Sequence, residues 1–189
     1  MSESTTSPPV ARPTPGALAV PERVETPRLI LRTWRRSDWP AFAAINADPQ
    51  VMEHLGGRPM RPIDSDALAD RIDDHWREWG YGLYAVELRA TRAMIGFIGL
   101  SHHRALPDEV EIGWRLARSA WGQGLATEGA LAVRDLAYDV LGLQSLISIT
   151  VPENSRSLRV MEKIGLSYWK QMQFERWNLV IYRGGPSDR

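Results

Sequence analysis

The chain contains no cysteine, which excludes disulfides, a thiol nucleophile and any zinc-thiolate centre. It has no run of about 18 apolar residues, the length that spans a bilayer. Its N-terminus also lacks the charged-then-apolar pattern of a secretion signal. A soluble, cytoplasmic protein is therefore expected. No charge of one sign dominates, since 23 Lys and Arg balance 23 Asp and Glu. That balance argues against a general nucleic-acid surface or a polybasic membrane patch. Lysine is scarce, being present only as Lys163 and Lys170. The adjacent His102 and His103 read as a polar loop after a strand, and no partner stands at a spacing such as H-E-x-x-H, so no metal is expected.

What is present is the composition of a globular domain: 189 residues, 43% hydrophobic and 24% charged. Residues 1–23 are rich in Ser, Thr and Pro and are expected to form a flexible tail, leaving residues 24–189 as a single domain. Pro27 opens a short strand at Leu29, Ile30 and Leu31, and a helix is expected from Trp34 to Asn46. Ser65 opens a second helix, with Leu68, Ile72, Trp76 and Trp79 at helical spacing and Gly80 as its stop. Tyr84 to Leu88, Met94 to Ser101 and Val110 to Leu116 read as a meander of three strands. A strand at Leu146 to Val151, a helix from Asn154 to Ile164, and strands at Tyr168 to Gln171 and Trp177 to Tyr182 complete the pattern.

The richest stretch is Trp121-Gly122-Gln123-Gly124-Leu125-Ala126. Before it, Val110, Ile112, Trp114 and Leu116 alternate with Glu111, Gly113 and Arg115, as in a strand with one buried face. After it, Ala126, Ala130, Val133 and Ala137 recur at helical spacing, so a helix of about four turns begins near Gly124. Its first amides lack acceptors and lie at the positive end of the helix dipole, where an anion could dock. A plain strand-to-helix turn is the competing reading. The stretch is not a P-loop, which needs G-x-x-x-x-G-K-[ST], and Thr127 breaks the dinucleotide pattern G-x-G-x-x-G.

The order βαα-βββ-αβ-αββ, with the glycine turn after the fourth strand, resembles the GNAT superfamily of N-acetyltransferases from Glu25 to Gly184. Members usually show Q/R-x-x-G-x-G/A. Here Trp121 holds the Q/R place, with Gly124 and Ala126 at the small positions, similar to the W-G-x-G-x-A-T-E form of the RimJ/RimL-like branch, whose type enzyme acetylates a ribosomal-protein alanine. Asn154-Ser155-Arg156-Ser157 followed by Lys163-Ile164-Gly165-Leu166 is similar to that branch's N-x-x-S-x-x-x-x-x-K-x-G-F signature.

The resemblance implies an α/β (α+β) GNAT fold: a mixed, mostly antiparallel sheet of about seven strands, splayed between its fourth and fifth. It implies acetyl-CoA as cosubstrate, with the pyrophosphate on Trp121, Gly122, Gln123, Gly124, Leu125, Ala126 and Thr127. The pantetheine arm would lie along Trp114, Arg115 and Leu116 and meet Asn154, with Arg118 as a further phosphate contact. Arg156 and Arg159 are also close in sequence, though each alone reads as a solvated arginine. Glu111 is implied as the general base, with Glu109 in reserve; a solvated strand carboxylate is the alternative. The usual tyrosine acid is replaced by Met161, and Ser157 is its implied substitute. Asn154 and Ser157 also suit a helix N-cap.

Direct attack by an amine in a ternary complex is the simplest route without cysteine. An α-amine with pKa about 8 costs roughly 1.4 kcal/mol to deprotonate at pH 7, and a lysine roughly 4.6, so a protein N-terminus is the favoured acceptor. An antibiotic or polyamine acceptor, and a noncatalytic acyl-CoA-binding module, are the alternatives. Trp34, Trp39, Trp76, Trp79, His102, His103 and Trp177 are candidates for the acceptor pocket, though such aromatics are more often core. Relatives often dimerise, so a homodimer is a further expectation.

Overall fold

The structure is a computed structural model that describes residues 18–188. Eight strands form one sheet: β1 (Arg23–Glu25), β2 (Leu29–Arg32), β3 (Leu83–Leu88), β4 (Met94–His103), β5 (Leu106–Leu116), β6 (Leu146–Thr150), β7 (Ser167–Phe174) and β8 (Trp177–Gly184). Their spatial order is β1-β2-β3-β4-β5-β6-β8-β7. Every neighbouring pair is antiparallel except β5 and β6. The helices are α1 (Trp39–Asn46), α2 (Pro49–Met52), α3 (Pro62–Trp79), α4 (Leu125–Asp139) and α5 (Ser155–Lys163). No helix among the described residues is long and apolar enough to cross a membrane.

The sheet has one strand more than the sequence suggests. Three-residue β1 carries too little alternation to be read, and it straddles the expected boundary between tail and domain, with Arg23 on the tail side. Residues 1–17 of that tail lie outside the described residues. From Leu18 onward the chain is tied down: Ala19 N–H donates to the Gly80 carbonyl at 2.8 Å, and Tyr84 Oη donates to the Pro21 carbonyl at 2.7 Å. Val20 is buried between these bonds.

Helix α3 begins three residues before Ser65, at Pro62, whose fixed φ and missing N–H suit the first helical position. Ser65 is inside the helix, buried, and accepts a hydrogen bond from Asn46 Nδ2 at 2.8 Å. The two histidines are not a loop. They end β4, where His102 pairs with Val110, and the connection to β5 is only Arg104 and Ala105. His102 is held between Tyr81 Oη (2.9 Å) and the Pro107 carbonyl (3.0 Å). The carbonyl can only accept, so Nδ1 carries hydrogen, and in the neutral ring Nε2 then accepts from the tyrosine.

The main core packs α1, α3 and α4 on the first five strands through Leu29, Phe42, Trp76, Ile98, Ile112 and Val133. Gly129 lets α4 approach the sheet, because a Cβ there would collide with Ile98 Cδ1. A second cluster, Ile147, Val151, Leu179 and Ile181, packs under the β6-β8 half. One ion cluster is buried away from the cavity described below. Arg32 bonds Asp38 Oδ1 at 2.7 Å and Glu87 Oε2 at 2.6 Å, joining β2, β3 and the turn before α1.

Candidate active site

The site forms where the sheet comes apart. Strands β5 and β6 run parallel, and a single register pair, Glu111 with Ile147, joins them. Beyond that pair toward their C-termini the ladder stops. At the mouth of this seam, β5 leads into α4 and β6 into α5, so two helix N-termini meet the same opening. A cavity of about 470 Å³ occupies it.

One wall is the end of β5 with the glycine turn: Trp114, Arg115, Leu116, Trp121, Gly122 and Gly124, then Leu125, Ala126 and Thr127 at the start of α4. Gly122 (φ 72°) and Gly124 (φ 76°) adopt left-handed backbone that favours glycine. The first intrahelical bond here is Glu128 N–H to the Gly124 carbonyl, so the Leu125, Ala126 and Thr127 amides are left for a ligand. Glu128 would compete with an anion at this end of the dipole, but its carboxylate is occupied by Thr26 Oγ1, the Arg28 amide and Arg28 Nε. Trp121, in the place usually held by Gln or Arg, ties the turn to its strand through Nε1–H to the Leu116 carbonyl at 2.9 Å.

The opposite wall is α5. Asn154 and Ser157 line the cavity with Arg156, Arg159, Val160 and Lys163. Asn154 caps the helix, its Oδ1 accepting from the Ser157 amide at 3.3 Å. The Arg156 guanidinium lies 4.6 Å above the Trp121 ring and bridges the two walls. A third wall was not anticipated: Gln50, Val51, His54 and Leu55, from α2 and the residues after it. Asp48-Pro49 was the available signal, an Asn/Asp-type cap followed by proline at the first helical position; Asp48 Oδ1 accepts from the Gln50 amide at 2.9 Å. The spacing of Arg156, Arg159, Val160 and Lys163 likewise marks one face of a helix.

Of the coenzyme contacts and the base and acid expected from sequence, Arg118, Gln123 and Glu111 do not line this cavity, nor does the reserve base Glu109. Arg118 is turned to Gln50 Oε1 (2.6 Å) and Asp48 (3.4 Å). Gln123 bonds Ser119 and Arg28 through its side chain and carbonyl. Glu111 sits at the apex of the seam. Burial pushes its pKa up to about 8, opposed by the Ile149 backbone amide in the strand from which β5 has separated. Glu109 is engaged by Arg183 at 3.4 Å.

Arg115 extends to Asn46 Oδ1 at 2.6 Å, while its buried Nε has no hydrogen-bond partner; desolvation lowers its pKa to about 10. None of the seven aromatics expected near the acceptor lines this cavity. Trp34 and Trp76 both donate to the Leu83 carbonyl, Trp79 stacks near His102, His103 meets Phe174, and Trp177 lies beside Gly57. Trp39 lies under Arg36.

The cavity therefore offers unsatisfied helix amides and three exposed-end cations, Arg156, Arg159 and Lys163, and no carboxylate lines it among the described residues. That donor set fits a polyanionic nucleotide such as coenzyme A. An open sheet seam carrying this cavity is suited to an acyl-CoA-dependent transferase, a class that the comparisons with known proteins support. The Acetyltransferase (GNAT) domain family matches residues 28–167, and the chain belongs to that family. YkkB of Bacillus subtilis is 30% identical over 169 residues, covering 84% of this chain and 92% of its own. An acetyltransferase structure from Agrobacterium tumefaciens superposes with a TM-score of 0.77 at 31% identity, over 86% of this chain and 93% of that one. The spermidine N-acetyltransferase of Vibrio cholerae, solved with CoA and spermine, shares the fold (TM-score 0.69, 17% identity, 86% and 98% covered). The protein is an acetyl-CoA-dependent N-acetyltransferase of GNAT type.

Proposed function

We propose that this enzyme belongs to the RimJ/RimL-like branch and acetylates an α-amine, as at a protein N-terminus, by direct attack within a ternary complex. Glu111 is the base and Ser157 the acid. The observation that carries the reading is the Glu111 carboxyl at the apex of the seam, pushed up to about 8 by burial. A proton moving from an α-ammonium of pKa about 8 to such a carboxylate crosses almost no free-energy gap, whereas a lysine ammonium at about 10.4 would face roughly 3 kcal/mol. Glu109 is instead ion-paired with Arg183.

In this scheme acetyl-CoA supplies the thioester, its phosphates held by the α4 amides with Arg156, Arg159 and Lys163. Glu111 first takes the ammonium proton and gives it to water; the neutral amine nitrogen then forms a bond to the acetyl carbon and passes its second proton to the Glu111 carboxylate. The carbon-sulfur bond breaks with its electron pair on sulfur, which takes the Ser157 proton. Water then restores the serine hydroxyl and removes the proton from Glu111. Positioning of the two substrates supplies the larger share of the rate.

A polyamine acceptor is the second reading, favoured by the spermidine-acetylating fold relative. Free-thiol release measured over N-terminal peptides, polyamines and aminoglycosides decides between them. The proposal expects turnover on peptides with a free α-amine. Turnover confined to polyamines would replace it, and binding of acetyl-CoA with thiol release at background for every amine would leave a noncatalytic module.

A further inference from the structure

Asn154 makes more contacts than a helix cap requires. Its Oδ1 accepts from the Ser157 amide, which is the cap itself. Its Nδ2 donates twice, to Ser157 Oγ at 3.0 Å and to Thr150 Oγ1 at 2.9 Å. The backbone N–H can be met only by the oxygen of the amide, so the orientation of the group is settled by its partners. Thr150 is the last residue of β6 and only 8% exposed. It does not line the cavity, whereas Asn154 and Ser157 do.

The two extra bonds act on the serine hydroxyl. With an N–H of Asn154 pointing at Ser157 Oγ, that oxygen is an acceptor on its inner side, and its own hydrogen must turn away from Asn154. The same N–H stabilises the negative charge that builds on Oγ as its proton leaves for sulfur. That service depends on the Asn154 amide staying in one plane. Thr150 Oγ1, anchored on the sheet, holds the second N–H and prevents the amide from rotating.

We propose that Thr150 is a positioning residue for acetyl transfer: through Asn154 it holds the Ser157 hydroxyl as a hydrogen donor to the departing sulfur. This rests on the assignment of Ser157 as the acid. Atoms and charge balance as in the scheme above, with sulfur gaining the Ser157 proton and water returning one to the hydroxyl; Thr150 itself transfers nothing.

The test compares Thr150→Val, Thr150→Ser, Ser157→Ala and the double variant Thr150→Val/Ser157→Ala, using thiol release with acetyl-CoA and an accepted amine. Thr150→Val should lower kcat about tenfold at an unchanged KM for acetyl-CoA, and Thr150→Ser, which keeps the oxygen, should return to within about twofold of the parent. In the Ser157→Ala background the valine should cause no further loss, because the hydroxyl it positions is gone. Wild-type kcat in Thr150→Val, a loss confined to KM, or the full tenfold loss repeated on Ser157→Ala would overturn the inference. Wild-type kcat in Ser157→Ala would instead overturn the assignment of the acid. If Thr150→Val fails to fold, Asn154→Asp keeps a carboxylate cap for the Ser157 amide while removing both N–H donors. An undiminished kcat in that folded variant overturns the inference, and a loss at unchanged melting temperature supports it.

Discussion

Arg32 is buried and Arg115 is half-buried at the cavity with its Nε withdrawn from water, yet Arg32 faces Asp38 and Glu87 while Arg115 bonds one neutral amide. The pKa of Arg32 is raised, chiefly by its bonds to Asp38; that of Arg115 is lowered to about 10 by desolvation. The carboxylates differ in the same way. Glu87 is bracketed by Arg32 and Arg92, whereas Glu111 meets one backbone amide and its pKa rises to about 8. The β2-β3 cluster pairs each of these charges with an opposite charge of the protein, although Glu87 Oε1, ion-paired with Arg92, accepts no hydrogen bond. The β5-β6 seam leaves its charges incompletely matched, which is the condition expected where a substrate supplies the missing partners.

Arg32→Met should break the first region most severely. It leaves buried Asp38 without its cation and Glu87 with Arg92 alone, a change worth about 3–5 kcal/mol, and thermal melting should fall by roughly 10 °C for a chain of this size. Arg115→Met removes a half-buried cation that has no carboxylate. It leaves only the Asn46 amide oxygen unsatisfied, and its cost should stay near 1–3 kcal/mol. Equal losses in the two variants would dissolve the contrast.

The pH dependence of stability sharpens it further. The folded pKa of Glu111 lies above its ordinary value of 4.5, so the folded protein binds more protons than the unfolded chain between about pH 4.5 and 8. Stability contributed by the neutral carboxyl is fully present below that window and declines as pH rises through it, with a slope of at most about 1.4 kcal/mol per pH unit. Denaturant titrations across pH 5 to 8 should show a shallower decline in Glu111→Gln than in the parent; parallel curves would place the titration elsewhere. The smallest effect belongs to Arg156→Ala, which removes the cation over Trp121. It should raise the KM for acetyl-CoA about two- to fivefold with kcat retained, on the order of 1 kcal/mol or less. A loss in kcat alone would move Arg156 from the donor to the chemistry.

The seam was legible because its parts are local in sequence. Alternation along Val110 to Leu116, the glycines at 122 and 124, and Asn154 ahead of a helix each signal through neighbouring residues. The wall formed by Gln50, Val51, His54 and Leu55 was not, since it reaches the seam only after α1 and α2 fold across the sheet. Strand β1 is too short to show a period, and tertiary contacts rather than composition order Ala19 to Glu22. Arg118 illustrates the remaining gap: its position beside the glycine turn is clear from sequence, but its contacts with Asp48 and Gln50 depend on residues about 70 positions away. The burial of Glu111 has the same origin, because no local pattern reveals that Ile149 will stand opposite it.

The central claim is that the Glu111 carboxyl at the seam removes the amine proton. Thiol release by Glu111→Gln, measured beside the melting-temperature rise that acetyl-CoA produces, tests it most directly. The account predicts an acetyl-CoA-induced rise equal to that of the parent and a kcat lower by about 100-fold or more. Parental kcat in a variant that still binds acetyl-CoA would contradict it.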